Sequence, residues 1–267
     1  MQTIFITGAS SGLGKATAQL FQKQGWRVIA TMRNVDNEFE VSKLENVILL
    51  PLDVTDVAQI QATVKNVVEN YEVDVVFNNA GYGLIGALES FEDAQIERQI
   101  ATNLMGVIRI TQAFVPYFRA KRRGMFINVT SSFGIIGFPT CSIYSATKFA
   151  VDGFSESMSY ELAQFGVVVK VLAPGGIQTD FATRSVDVGQ HEAYSQLTVE
   201  VSKGYSSEKI AQYARVEDIA EEVFTAVNDG TVKLRYVVGK DATALYEERI
   251  RLGAEEQVQR IKNQFIF

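Results

Sequence analysis

Nothing in this chain restricts its fold as much as residues 3–14, Thr-Ile-Phe-Ile-Thr-Gly-Ala-Ser-Ser-Gly-Leu-Gly. Thr3 to Thr7 form an apolar run of strand length, and glycines follow at 8, 12 and 14. A helical pattern then begins, with Ala16, Leu20 and Phe21 on one side and Lys15, Gln19, Gln22 and Lys23 on the other. Strand, glycine turn and helix open a nucleotide-binding βαβ unit. The glycines let the backbone pass close to a pyrophosphate, and the helix N-terminus offers unpaired N–H groups with a partial positive charge. The spacing is G-x-x-x-G-x-G, which differs from the common G-x-G-x-x-G fingerprint. A helix cap with spare glycines is the alternative, and it leaves three glycines in seven residues unexplained.

The remaining chain keeps alternating. Apolar runs at 27–31, 47–50, 73–77, 125–130, 167–172 and 236–238 predict strands, and helices are predicted over 57–69, 92–118, 144–165, 216–228 and 242–264. An acidic residue after the second strand would bind the ribose 2′-hydroxyl of NAD, and none stands there. Arg33 does, and it could pair with a 2′-phosphate, so NADP(H) is favoured over NAD(H); a solvated arginine is the plain alternative. Asp53 could accept a hydrogen bond from an adenine amino group, or cap the helix that begins near Asp56. Asn78-Asn79-Ala80-Gly81 suits a backbone lying against a ring, or a plain turn. Asn103 falls inside a predicted helix, where asparagine is mildly unfavourable, which hints at a role.

Tyr144 stands four residues before Lys148, so a helix puts phenol and ammonium on one face. A free phenol, with a pKa of ~10, is a sluggish proton donor at neutral pH. A nearby cation can lower an acidic group by ~1–3 units and bring it into range for proton transfer. Ser131, at the carboxyl end of a predicted strand, could hold a substrate carbonyl against that phenol. Taken alone, the pair could equally be one of many Tyr-x-x-x-Lys pairs on a solvated helix.

Composition removes several function classes. A chain of 267 residues has the size of one compact domain and needs no staple. The net charge of −6 argues against nucleic-acid partners, which need a basic surface. The single cysteine, Cys141, cannot form an intramolecular disulfide, and the one histidine, His191, lies far from it in sequence, so a Cys–His nucleophile has little support. No metal site is expected. No basic-then-apolar leader is visible, and no apolar run reaches the roughly 20 residues needed for a membrane span. A cytoplasmic protein is therefore expected. Between 181 and 213 the pattern weakens and turns polar, as a substrate lid would, and the apolar tail Phe265-Ile266-Phe267 is expected to dock on a neighbour.

Together the motifs resemble the short-chain dehydrogenase/reductase family: Thr7-Gly8-x-x-x-Gly12-x-Gly14, Asn78-Asn79-Ala80-Gly81, Asn103, Ser131, Tyr144-x-x-x-Lys148 and Pro174-Gly175, in the family's order. The resemblance implies a Rossmann-type, doubly wound α/β fold with about seven parallel strands, a single domain over 1–267 with 181–213 as the lid. It implies an oxidoreductase that interconverts a carbonyl and an alcohol, with Tyr144 as acid/base, Lys148 lowering its pKa and binding the nicotinamide ribose, Ser131 orienting the carbonyl and Asn103 holding a relay water. Ile177 and Thr179 would contact the nicotinamide carboxamide. The implied cofactor contacts run through Gly8, Ser10, Ser11, Gly12, Leu13, Gly14, Arg33, Asp53, Val54, Asn79, Ala80, Gly81, Tyr144, Lys148, Pro174, Gly175, Ile177 and Thr179. The segment Arg235-Tyr-Val-Val-Gly-Lys-Asp-Ala242 is similar to the 17β-hydroxysteroid and retinol dehydrogenase branch. A small hydrophobic substrate and a homodimer or homotetramer are expected; a non-catalytic NADP(H) sensor is the alternative.

Overall fold

A computed structural model describes residues 1–36, 41–179 and 181–266, with the backbone alone at 182 and 183. Seven strands form one sheet: β1 (Thr3–Thr7), β2 (Arg27–Met32), β3 (Val47–Pro51), β4 (Val75–Asn78), β5 (Gly124–Val129), β6 (Val167–Pro174) and β7 (Arg235–Val238). Their order is β7-β6-β5-β4-β1-β2-β3, and every pairing is parallel. The order reverses between β1 and β4, which opens a crevice at the strands' carboxyl ends.

Parallel strands need crossovers, and helices supply them on both faces. Side chains alternate between the two faces, as the strand period requires. Ile4 and Ile6 of β1, Val28 and Ala30 of β2 and Val75 and Phe77 of β4 join the core beneath α1 (Gly12–Lys23) and α7 (Val216–Asn228). Phe5, Ile29 and Val76 point the other way. They pack under α2 (Val57–Asn70), α4 (Gly106–Lys121) and α5 (Ser142–Ala163). Aromatic rings tie each layer down: Phe21 meets Phe224 at 5.1 Å on one face, and Phe5 meets Phe114 at 5.0 Å on the other.

Three expectations about elements are corrected. The predicted helix over 92–118 is α3 (Asp93–Ile100), a π turn at Ala101–Met105 and then α4. The predicted helix over 242–264 is two helices, α8 (Lys240–Leu252) and α9 (Ala254–Gln264), because Gly253 between them takes a φ of 81°. The weakly patterned stretch 181–213 holds its own structure, including α6 (Ser195–Ser202). Its strand Val186–Val188 pairs with Gly83–Ile85, and its polar latches reach α3 and the turn before it: Asp187 accepts from Gln95 and Arg98, and Tyr194 donates to Glu89. Phe265 of the expected docking tail packs within the chain, edge-on to Phe138 at 5.6 Å; Phe267 lies outside the described residues.

Candidate active site

The glycine turn and the Asn-Asn-Ala-Gly segment meet at the crevice and are bonded together. The Thr7 hydroxyl accepts the N–H groups of Asn79 (3.0 Å) and Ala80 (3.1 Å). The Asn79 amide donates to the carbonyls of Thr7 (3.0 Å) and Gly8 (3.1 Å). Gly14 has no room for a side chain: a Cβ there would fall 2.3 Å from the Gly8 carbonyl and 2.5 Å from Asn79 Nδ2. Gly12, at φ 51°, faces the opposite situation, since a Cβ would meet nothing nearer than Thr179 Cγ2 at 3.8 Å. Ser11 at the start of α1 makes no side-chain cap, and the first turn carries no acidic residue. An open turn before an uncapped, acid-free helix start fits a phosphate-bearing nucleotide.

Around this turn the expected contacts divide. Ser10 is exposed, and Ser11, Asn79, Ala80 and Gly81 are half-buried. Leu13 and Val54 bury their side chains in the two cores, which leaves only their backbone for the crevice. Arg33, just past β2, is exposed and has no ion-pair partner among the described residues. Asp53 does not cap α2. Its carboxylate turns back on Thr55, accepting the backbone N–H (2.8 Å) and the hydroxyl (2.7 Å), while Asp56 caps the helix through Gln59 N–H at 2.9 Å.

Asn103 sits in the π turn, fully buried. Its side chain closes a pair of bonds with Tyr82, accepting the N–H (3.0 Å) and donating to the carbonyl (2.8 Å). An ideal Cβ on Gly81 would be 3.1 Å from Asn103 Oδ1 and 3.7 Å from Lys148 Nζ, so these three residues share one corner. Lys148 is buried, donates to the Val129 carbonyl at 3.0 Å and lies 5.7 Å from the Tyr144 ring centre. Ser131 follows β5 in extended conformation, accepts Phe133 N–H at 3.1 Å and lies near enough to the Tyr144 phenol to pull its proton affinity down. Thr140, between the two, holds a φ of 63°, a costly conformation for a β-branched residue, and its carbonyl accepts Gly86 N–H at 2.8 Å. Pro174 to Thr179 leave the end of β6, beside Thr130, whose N–H donates to Leu172.

Electrostatics set the resting state of the Tyr144–Lys148 pair. Burial pushes the Tyr144 phenol up to about 12, against a smaller downward pull from Ser131. Burial also pulls Lys148 down to about 8. Burial drives each group towards its neutral form. The arrangement holds a proton on Tyr144 beside a hydroxyl that can share an incoming oxygen. Cys141 is buried, and burial holds its thiol at about 12, which suits an inert core residue. Among the described residues no cluster of His, Cys, Asp and Glu could hold a metal, and no helix is long and apolar enough to cross a membrane.

Three residues near the site escape sequence reasoning. Thr7 stands in the glycine motif without a role of its own, although a hydroxyl on an apolar strand end could have flagged its bridge to Asn79 and Ala80. Tyr205, from the 181–213 segment, has its phenol raised by burial and then by Cys141, Tyr213 and Tyr144, so it lies within electrostatic reach of the candidate acid/base. Asp241 reaches the Gly175-Gly176 turn from α8, and its signal was the Gly239-Lys-Asp run after the last strand.

Comparison with known proteins shows the family and the fold. The short chain dehydrogenase family model matches residues 2–189. The chain is 39% identical to the 3-ketodihydrosphingosine reductase of Bacteroides thetaiotaomicron over 198 residues, 73% of this chain and 72% of that protein. A short-chain dehydrogenase from Streptomyces avermitilis has a similar structure, with a TM-score of 0.83 at 28% identity over 97% of this chain and 99% of that one. The structure of ElxO with NADP bound superposes with a TM-score of 0.74 at 26% identity, covering 88% of this chain and 97% of that chain.

Proposed function

The chain belongs to the short chain dehydrogenase family of oxidoreductases, and within that family we propose that it interconverts a carbonyl and an alcohol with NADP(H), using Tyr144 as the acid/base. One observation carries the reading: Ser131, Tyr144, Lys148 and Asn103 gather at the sheet edge that also bears the open glycine turn. The preference for NADP(H) over NAD(H) is supported by exposed Arg33 at the end of β2 and by the NADP found in ElxO.

NADP(H), when bound, supplies or accepts the hydride. In reduction, Tyr144 gives its phenolic proton to the carbonyl oxygen, and Ser131 donates a hydrogen bond to the same oxygen. Lys148, held against the Val129 carbonyl, places its ammonium beside the phenolate that remains. Asn103 spends one donor and one acceptor on Tyr82 and keeps capacity for a water on the route by which the proton returns. The glycine turn and the first turn of α1 hold the phosphates. Ile177 and Thr179 meet the nicotinamide end.

An apolar substrate is supported by a groove of about 330 Å³ lined by Gly137, Pro139, Leu197, Val258, Ile261, Lys262, Phe265 and Ile266. Gly137 and Pro139 belong to the loop that joins Ser131 to Tyr144, and Leu197 belongs to the 181–213 segment, which we assign as the lid. A homodimer or homotetramer across α4 and α5 is part of the same reading, as is a cytoplasmic setting that keeps the free Cys141 thiol reduced.

Loss of NADPH absorbance is the test, against aldehydes, ketosteroids, retinal and acyl β-ketones, with NADH in parallel. Turnover is expected with NADPH on one class. Tyr144→Phe should lower kcat by about a hundred-fold or more while NADPH binding persists. A variant with near-wild-type turnover would remove Tyr144 from its role, and NADPH binding without turnover on any class would favour the sensor.

A further inference from the structure

The turn after β6 is unusually crowded for a stretch of two glycines. An ideal Cβ on Gly175 would lie 2.1 Å from Asp241 Oδ1 and 2.4 Å from Oδ2. On Gly176 it would lie 2.5 Å from three atoms of the Tyr213 ring. A third glycine, Gly239 at φ 96°, brings its own ideal Cβ within 3.0 Å of Asp241 Oδ1. One carboxylate thus occupies the space where side chains at 175 and 239 would stand. It takes up the Gly176 N–H through Oδ2 at 2.7 Å. Two backbone features fix the approach: Gly175 N–H donates to the Val238 carbonyl at 3.0 Å, and Asp241 lies in the first turn of α8, where negative charge is favoured.

From this we infer that Asp241 is a positioning residue for the cofactor, acting on the nicotinamide end through the Gly175-Gly176 turn. The inference rests on the reading above that Ile177 and Thr179 meet the nicotinamide. It also changes the meaning of Gly175, whose bare Cα makes room for the carboxylate. Tyr213 backs the turn from the other side, its hydroxyl donating to the Gly204 carbonyl at 2.6 Å. Gln178 extends the brace, donating to the carbonyls of Ala211 (3.0 Å) and Tyr213 (2.7 Å). Without the carboxylate, Gly176 N–H loses its acceptor and the path into Ile177 loses one of its two walls. The phosphate end, set by the turn between Gly8 and Gly14 and its bonds to Asn79, shares no hydrogen bond with Asp241 among the described residues.

The test compares two ligands that share the phosphate half: NADPH, and 2′-phospho-ADP-ribose, which lacks the nicotinamide. Binding is read by fluorescence and calorimetry on wild type, Asp241→Ala, Asp241→Asn and Gly175→Ala. Asp241→Ala is expected to weaken NADPH by about five- to ten-fold, the worth of one hydrogen bond, and to leave 2′-phospho-ADP-ribose unchanged. Asp241→Asn keeps an acceptor oxygen and should restore most of the NADPH affinity. Gly175→Ala should weaken NADPH alone, and adding it to Asp241→Ala should cost nothing more, because its methyl then fills the vacated space. Equal weakening of both ligands would make Asp241 merely structural, and unchanged NADPH affinity in folded Asp241→Ala would overturn the inference outright. If Asp241→Ala does not fold, Gly175→Ala decides, with wild-type NADPH affinity counting against the inference. A wild type that binds neither ligand would instead bring down the cofactor reading, and this inference with it.

Discussion

Two charges-to-be, a half-buried phenol and a buried ammonium, share a corner of this protein, and desolvation decides their state. An exposed pair four residues apart would leave the lysine charged and draw the tyrosine down. Here burial pushes Tyr144 up to about 12 and Lys148 down to about 8. The sign follows directly: with its folded value above the ordinary phenol value of ~10, the phenol stays protonated across the neutral range and into alkali. That is the form a proton donor to a carbonyl oxygen requires. Ultraviolet difference titration of wild type against Tyr144→Phe, without cofactor, should show one phenol ionising near 12. A difference transition below 10 would mean that the lysine already governs the phenol in the free chain. Sequence spacing identified the pair but could not weigh its burial, because burial also depends on residues that arrive from elsewhere in the chain, such as Val129, whose carbonyl takes the Lys148 ammonium.

Elements tell a similar story of what local pattern can and cannot carry. The glycine turn, the alternating strands and the two-faced sheet were legible, because a period of two or 3.6 survives in the sequence. The π turn at Ala101–Met105 was not, since a helix with one extra residue has no period of its own; only the misplaced polarity of Asn103 betrayed it. Gly253 was a readable stop signal that the apolar pattern on either side masked. The strand pair joining Gly83–Ile85 to Val186–Val188 is too short to show any alternation. A buried lysine was also invisible in its run of valines. Lys170 of β6 is fully buried and bonds Asp229 (2.6 Å), the Ala226 carbonyl (2.6 Å) and the Tyr236 hydroxyl (3.0 Å), fastening the end of α7 to β6 and β7. Burial raises the Asp229 carboxyl, but bonds from Lys170, Tyr236 and Thr231 outweigh it and hold the group well below the usual carboxylate range. Its contribution is therefore complete above the unfolded carboxylate value of ~4 and fades as pH falls through the lower folded one. Asp229→Asn, which strands a fully buried ammonium, should cost roughly 3–5 kcal/mol in urea unfolding at pH 7 and lose much of that deficit in acid. Lys170→Met leaves a carboxylate whose side chain is still 20% exposed, so it should cost less. The reverse order would mean that the aspartate, not the lysine, carries the burial penalty.

At the scale of the whole molecule, the two helical layers are unequally finished. The outward face of α5 shows Ser142, Ala146, Phe149, Gly153, Ser157 and Tyr160, all exposed and spaced three or four apart, so they form one stripe. Small residues alternate there with two aromatics, Phe149 at 44% and Tyr160 at 71% exposure, and a Cβ on Gly153 would meet nothing within 4 Å. A stripe without a long charged side chain permits close approach of an identical helix, and two-fold pairing satisfies both copies with the same surface. The opposite face of the same helix carries Tyr144 and Lys148, so pairing across α5 would stiffen the element that holds the candidate site while leaving the crevice open. Light scattering on wild type is expected to give a dimer or tetramer. Phe149→Glu sets two carboxylates against each other across the two-fold, which should return the monomer without unfolding it, because the side chain is already part-exposed in the single chain. A wild type that runs as a monomer at micromolar concentration would remove the assembly from the reading. A Phe149→Glu protein that keeps the wild-type mass would move the interface to another face of the sheet, with α4 the next candidate.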